Sequence, residues 1–324
     1  MRFIGWVVAA ALLIVSQTAG AEEYPDKSRT LRIVVSYPPG AANDILARLV
    51  GQKLQERWGV AVVVDNRAGA NGMIGASAVA KAAPDGYTLW LGTDGPAAIN
   101  LSLYHAIPYD PVKDFAPLTL LARYQLVLVV PPSLGVKTVS EFIALAKKNP
   151  GSLSYGSPGT GSQHHLGMEW LAAATGIEML HVPYKGSAAA VTGMLTGDVQ
   201  AQLQGTAVVQ PFLTEGRMIG LAVSSANRSP VVPEIPTMIE SGVPGYDIGV
   251  WFGLLAPAGT PAAIVNKLHD ELAEIIQLPD IREKMLVQGL EPTSNTPEEF
   301  AALIKSEIVR WGKIVATAKV KPIN

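Results

Sequence analysis

The sequence contains no cysteine in 324 residues. That excludes structural disulfides, thiol catalysis, cysteine-ligated zinc and lipid attachment through an N-terminal cysteine. Long apolar runs are also scarce: Phe3 to Val15 is one, and no comparable run recurs later. With Arg2 before it and Ala19-Gly20-Ala21 after it, residues 1–21 read as a cleaved secretory signal, so the mature chain is expected to begin near Glu22. The run is short for a membrane span, the alternative being an N-terminal anchor. An exported chain without disulfides, large enough to stabilise itself by burial, suits a bacterial periplasm. Charge is sparse as well, at 16% of residues with a formal net charge of −2. Nothing in that balance favours nucleic acid or an anionic membrane surface as partner. A small anionic ligand would have to be held by local geometry, because the global field offers no help.

The motifs of reactive chemistry are missing too. A nucleophile elbow needs glycine two residues before and two after the serine. Ser157 has Tyr155 before it, and Ser162 has Thr160 before and His164 after. His165 and Glu169 are four apart, but there is no HExxH and no second ligand pair, so a metal site is not expected. Gly159-Thr160-Gly161 lacks the third glycine of a dinucleotide fingerprint, with His164 in its place, and no Walker A motif exists. No element offers paired carboxylates of the glycosidase kind. Asp44, Asp65, Asp85 and Asp94 fall in loops or near helix starts, where aspartate usually caps. The pattern favours binding over catalysis, without a cofactor.

What is present is a soluble globular composition, 48% hydrophobic with 31 glycines and 24 prolines, of a length suited to about two domains. The chain is organised around Ser36-Tyr37-Pro38-Pro39-Gly40-Ala41-Ala42-Asn43-Asp44. Leu31 to Val35 reads as a strand before it. An amphipathic helix follows, with Leu46, Leu49, Val50 and Leu54 on one side and Asn43 or Asp44 as its N-cap. Strand, glycine turn and helix start together aim free backbone N–H groups and the positive end of a helix dipole at a cleft, which favours an anion. The same architecture recurs later, where Ser154-Tyr155 leads into Gly156-Ser157-Pro158-Gly159-Thr160-Gly161 and Ser162 caps a helix ending at Gly176. In the first turn of that helix His165 is expected to be packed and His164 to face the cleft.

Strands alternate with helices elsewhere. Val60 to Val64 reads as a buried parallel strand, and Tyr87 to Gly92 as another, with a loop at Thr93-Asp94-Gly95-Pro96. Phe115 to Arg123 and Leu126 to Val130 follow as two segments. Capping boxes at Thr138–Glu141 and Thr296–Glu299 open helices. Further strands are expected over 178–184, 199–204, 221–223 and 250–255, and helices over 187–196, about 208–214 and from Thr260-Pro261. Residues 229–246 hold no convincing helix. In helix-covered sheets of this kind ligands bind beyond the carboxyl ends of the strands, so loops 37–43 and 93–96 should share one rim.

These residues resemble a known family. Pro38-Pro39-Gly40, Asp44-Ile45-Leu46-Ala47-Arg48, Asp65-Asn66-Arg67, Ala83-Pro84-Asp85-Gly86-Tyr87-Thr88-Leu89 and Tyr109-Asp110-Pro111 come in order. His181-Val182-Pro183-Tyr184-Lys185-Gly186, Pro233-Glu234-Ile235-Pro236-Thr237 and Trp251 to Pro261 complete the series. Together they resemble the Bug family, the periplasmic receptors of tripartite tricarboxylate transporters. The resemblance implies a two-domain α/β periplasmic binding protein of the type II, Venus-flytrap kind, each domain a helix-covered mixed sheet. The chain would cross between domains near Arg123–Val127 and Gly249–Phe252. Residues 22–124 with 250–324 would form one domain and 125–249 the other.

The resemblance also implies a small organic acid as ligand and the membrane subunits of a transporter as partners, with the receptor itself a monomer. One ligand carboxylate would be held by the first turn, through Tyr37, Pro39, Gly40, Ala41, Ala42, Asn43 and Asp44, with Thr93 and Asp94 beside it. The second turn would add Ser157, Gly159, Thr160, Gly161, Ser162, Gln163 and His164, and the strand after Val199 would add Gln204 and Thr206. Two positions depart from the family pattern. Ala41 stands where a second glycine is usual, so a positive φ there has no support from residue type. Gln204 stands where many relatives carry aspartate, and an uncharged amide does not suit a ligand ammonium group. The expected ligand is therefore a non-amino carboxylate, either an aliphatic dicarboxylate or an aromatic acid. A periplasmic carboxylate sensor or a secreted hydrolase are the alternatives.

Overall fold

The computed structural model describes residues 24–318 together with Val320 and Pro322; the secretory-signal reading falls outside them. Strand β1 (Thr30–Val35) runs into helix α1 (Ala42–Trp58), and β2 (Ala61–Asn66) is followed by α2 (Met73–Ala80). Then come β3 (Thr88–Thr93), a π-helical turn over Gly95–Ile99, α3 (Asn100–Leu103) and the long β4 (Phe115–Val130). The middle of the chain holds α4 (Val139–Lys148), β5 (Ser154–Ser157), α5 (Gln163–Thr175), β6 (Leu180–Pro183) and α6 (Ser187–Thr196). It continues through β7 (Ala201–Gly205), α7 (Thr206–Thr214) and β8 (Ile219–Val223). The last part is β9 (Gly249–Pro257), α8 (Ala262–Ile275), α9 (Pro279–Val287), β10 (Leu290–Pro292) and α10 (Pro297–Thr317).

The strands form one mixed sheet in the order β2-β1-β3-β9-β4-β7-β5-β6, with β8 and β10 also on β4. The β1 pairings with β2 and β3 are parallel, as are those of β5 with β6 and β7. β4 is antiparallel to everything it touches. Its partners change within its own length. Phe115 to Gln125 pair with β9, and from Leu126 onward the partners are β7 and β8. The return passage is beside it: Ile248 N–H donates to Ser224 O at 2.7 Å, and Gly249, the next residue, already pairs with Gln125.

Several sequence expectations are corrected here. Residues 115–123 and 126–130 are one strand of 16 residues, because Tyr124 and Gln125 continue the ladder. The polar interlude that suggested a break has its own partners, Gln125 binding Glu291 (3.0 Å) and Ser225 (2.5 Å). β2 is parallel as expected, yet it is the sheet edge with β1 as its one neighbour, and Val63 is 46% exposed. Residues 94–96 are helical, the start of the turn that leads into α3. Neither Asn43 nor Asp44 caps α1; Ala41 holds the N-cap position in extended conformation, without a side-chain cap. Helix α9 and strand β10 had no clear signal, α9 being short and carrying its charges within it. Both capping boxes are present, and Ser162 and Gly176 bound α5 as expected.

The core locks the strand ends that carry the cleft. Trp90 on β3 is fully buried, and its indole N–H donates to Ser36 Oγ at 2.9 Å, fixing the residue after β1. α1 buries Leu46, Val50 and Leu54 and ends at Gly59 in left-handed conformation. Further along, Phe300 of α10 packs on β9, where Gly253 leaves room for it: a Cβ there would sit 2.3 Å from the ring and 3.0 Å from Thr119 O. Gly253→Ala should therefore destabilise the protein by about 1–3 kcal/mol through overpacking. Phe300→Leu in the same chain should return part of that loss. Urea unfolding curves of the two single variants and the double variant measure both effects, and strict additivity would refute the contact.

Candidate ligand-binding cleft

A cavity of about 720 Å³ opens where the two groups of strands meet on β4. Its first wall is the turn after β1. Gly40 takes φ +84° and Ala41 is extended, with φ −74°, so the left-handed position of this turn falls on the glycine that is present. Asp44 is buried and turned back. Its Oδ2 accepts Gly40 N–H at 2.9 Å and Arg48 Nε at 3.1 Å, and its Oδ1 accepts Asn66 Nδ2 at 3.0 Å. Burial alone would raise its pKa; Arg48, the Gly40 amide and Asn66 outweigh that and hold it below the ordinary value. The carboxylate therefore braces the turn from behind, while Ala41, Ala42 and Asn43 line the cavity. As the start of an α-helix, these residues carry N–H groups with no intrahelical acceptor.

The second wall is built on a histidine stack. Ser157 Oγ shares a 2.7 Å hydrogen bond with His181 Nε2, and His181 stacks on His165 at 4.0 Å between ring centroids. His165 Nδ1 accepts Gly161 N–H at 3.2 Å. Ser162 Oγ donates to Gly159 O at 2.7 Å and accepts His165 N–H at 3.3 Å, capping α5. The amides of Gly159, Gly161 and Ser162 are thus consumed within the turn. Gln163 and His164, the first two residues of α5, are the ones that reach the cavity. His164 is nearly buried, and neither of its ring nitrogens has a partner. Burial lowers its pKa to about 4, so at neutral pH the ring is uncharged, with one N–H donor and one nitrogen acceptor.

Two further helix starts face the same space. Gly186 (φ +101°), Ser187 and Ala188 open α6, and Ala207 and Val208 lie in the first turn of α7. Four helix N-termini therefore converge on one cavity, each with the positive end of its dipole inward. Lys185 is the one charged side chain among the lining residues, and no carboxylate is among them. The remaining surface is largely apolar: Ile45, Tyr124, Val250, Phe252 and Val287, with Gln288 at its margin. Tyr124 and Phe252 meet edge to face at 6.3 Å. A Cβ at Gly205 would lie 1.4 Å from the Tyr124 hydroxyl, so glycine there lets the ring lie across the start of α7.

Of the residues singled out from sequence, Tyr37, Pro39, Gly40, Ala41, Ala42, Asn43, Thr93, Gln163 and His164 come together on the cavity surface. Asp44, Asp94, Ser157, Gly159, Thr160, Gly161, Ser162, Gln204 and Thr206 are not among the lining residues. Asp94 instead meets the Gln163 side-chain amide at 2.6 Å. Gln204 is fully buried and donates to Gln202 Oε1 at 3.0 Å, and Thr206 is buried against the Gly289 turn. Missed from sequence were Lys185 to Ala188, Ala207, Val208 and the apolar wall. Lys185-Gly186-Ser187 carried the same signal as the other turns, a glycine between a strand and a helix. Tyr124 and Phe252 carried none, since their position follows from strand pairing. Among the described residues no group of three or more metal-ligating side chains forms.

Residues 46–320 match the family model described as "Tripartite tricarboxylate transporter family receptor". Protein BugT of Bordetella pertussis is 36% identical over 316 residues, which cover 97% of this chain and 96% of that protein. The solved structure of R. palustris Rpa4515 with adipate superposes with a TM-score of 0.84 at 38% identity, covering 93% of this chain and 100% of that one. MatC from Rhodopseudomonas palustris with bound malate gives a TM-score of 0.78 at 31% identity, with 89% of this chain and 99% of that chain covered. The structural neighbours are periplasmic binding proteins.

The histidine stack makes the second wall sensitive to acid. Burial, and for His165 also the neighbouring His181, lowers the pKa of His165 to about 3 and of His181 to about 4, from an ordinary 6.5. Both bind protons more weakly folded than unfolded. Their stabilisation is present in full above pH 6.5 and is lost as pH falls through that value toward 4 and 3. His181→Gln, whose amide can still bond Ser157 Oγ, should flatten the decline of the urea midpoint between about pH 6.5 and pH 4 relative to the parent. Identical declines would show that His181 takes up its proton equally in the folded and unfolded states, and would refute the depressed value.

Proposed function

The chain belongs to the tripartite tricarboxylate transporter receptor family, and from that premise we propose that it captures a small non-amino organic acid, an aliphatic dicarboxylate or an aromatic carboxylate, and delivers it to the membrane subunits of a tripartite transporter. The family consists of periplasmic solute-binding receptors rather than enzymes. The observation that carries the ligand class is the convergence of four helix N-termini on a cavity that no carboxylate lines. Backbone dipoles supply the attraction for an anion without an arginine or a metal. An ammonium group would find no counter-charge, since Asp44 is turned to Arg48 and Asn66, and Asp94 to Gln163. The apolar wall of Tyr124, Val250 and Phe252 suits the carbon skeleton of the acid. The neighbours solved with adipate and with malate support the same class.

The binding step follows from the architecture. Residues 22–124 with 250–324 form one lobe in this reading and 125–249 the other, joined at the two passages beside Gln125 and Gly249. The change of β4 partners at Gln125–Leu126 supports that division. The ligand touches both lobes, so its contacts differ between open and closed forms, and that difference drives closure. A periplasmic monomer released by cleavage after residue 21 completes the reading.

A thermal-shift and calorimetry panel of adipate, malate, benzoate, aspartate and glutamate tests it. A non-amino acid at about 100 times its Kd should stabilise the protein by about 2.7 kcal/mol, and His164→Ala should weaken that acid at least several-fold by removing a buried polar partner. Binding of aspartate or glutamate alone would overturn the non-amino assignment. A panel without any shift would overturn the carboxylate reading.

A further inference from the structure

Asp94 follows the last residue of β3 and has no exposed surface. Its Oδ1 meets the Gln163 side-chain amide at 2.6 Å, and its Oδ2 is buried without a hydrogen-bond partner. Among the described residues no cation pairs with it. Arg310, on the neighbouring α10, is committed to Glu307 at 2.6 Å and to the backbone oxygen of Asp247. Glu307 adds a like charge, while Tyr37 and His164 are buried and neutral at pH 7. Lys185, the cation of the cavity lining, makes no ion pair or hydrogen bond with Asp94. A carboxylate in this position would be a buried charge with one oxygen unsatisfied, and such groups take up a proton instead. Burial, and after it the Glu307 charge, accordingly raises the pKa to about 8.

The unpartnered oxygen carries the consequence. A hydroxyl on Oδ2 would be a buried donor without an acceptor, so a proton on Asp94 is satisfied only on Oδ1, the oxygen that meets Gln163. The two ends of a glutamine amide fill the same space, so its orientation is set by its partners. An Asp94 hydroxyl takes the Gln163 oxygen and leaves both amide N–H groups free. An Asp94 carboxylate would take the N–H groups and leave the oxygen free. Gln163 lines the cavity, so its free end faces whatever binds there.

We propose that Asp94 is a positioning residue that acts as an uncharged acid: its hydroxyl holds the Gln163 oxygen, which presents the Gln163 N–H groups to the ligand's carboxylate, and ionisation reverses the amide and turns the anion away. The proposal rests on the carboxylate reading of the cavity. It adds the residue that sets the polarity of one donor in it, and it links the segment before β4 to the first turn of α5.

Carboxyl-carbon NMR of the wild-type protein without ligand, with the Asp94 resonance identified by its loss in Asp94→Asn, tests the acid directly. The resonance should titrate near pH 8. A midpoint near 4 would overturn the proposal even if both variants failed to fold. Adipate calorimetry from pH 6 to pH 9.5 tests the positioning. Wild-type affinity should fall towards tenfold per pH unit above the midpoint, as one linked proton requires. In Asp94→Asn, whose amide can hold Gln163 the same way at every pH, that fall should vanish; in Asp94→Ala affinity should drop at all pH values. A flat wild-type profile, or an Asn variant with the same fall, would overturn the positioning role. If adipate and the rest of the acid panel do not bind the wild type at pH 7, the carboxylate reading fails and the positioning role falls with it, whereas the NMR titration still reports the state of Asp94.

Discussion

A helix begins with backbone N–H groups that have no partner inside it, and this chain places four such beginnings around one cavity. That constraint organises the remaining structure. Each helix must follow a strand closely enough to start at the rim, which accounts for the glycines at 40, 186 and 205 where the backbone turns or is closely approached. Each turn must be stiff, because a dipole that swings loses its advantage over water. Stiffness comes from side chains behind the surface: Asp44 with Arg48 and Asn66 under α1, and Ser157, Ser162, His165 and His181 under α5. Those residues carry charge or hydrogen-bonding capacity, yet the cavity surface itself is nearly free of charge.

This division explains why the site looks catalytically idle. A serine beside a histidine, a buried aspartate and an unpartnered imidazole are the components of many hydrolases. Here Ser157 and His181 are locked to each other and to the turn, and His164 stands apart from both with its own nitrogens unpaired. Among the described residues no base bonds a cavity-facing hydroxyl. Polar groups serve to shape and orient, in keeping with a family of receptors.

Much of this was legible in the chain order. The turns at 37–44 and 157–163 announced themselves through glycine, proline and capping residues, because their backbone geometry demands those residue types. The helices with capping boxes were equally plain. What failed to show were features decided by distant partners. Asp44 looked like a cap from its position, and only Gly40, Arg48 and Asn66 together reveal a brace. The break imagined at Tyr124 and Gln125 came from polarity, which Glu291 and Ser225 satisfy from remote parts of the chain. The exposure of β2 depends on its being an edge, a property of the sheet rather than of Val60 to Val64. Tyr124 and Phe252 reach the cavity through strand pairing alone, so no local pattern marks them.

The continuous β4 has one more implication. Its sixteen residues pair with β7 and β8 from the middle of the chain and with β9 and β10 from its last part, so the ladder along β4 joins segments far apart in sequence. The half that contains β1 to β3 lacks its inner neighbour until β9 has been synthesised, some 150 residues later. A chain made from its N-terminus therefore cannot complete this first sheet until its last part has been made.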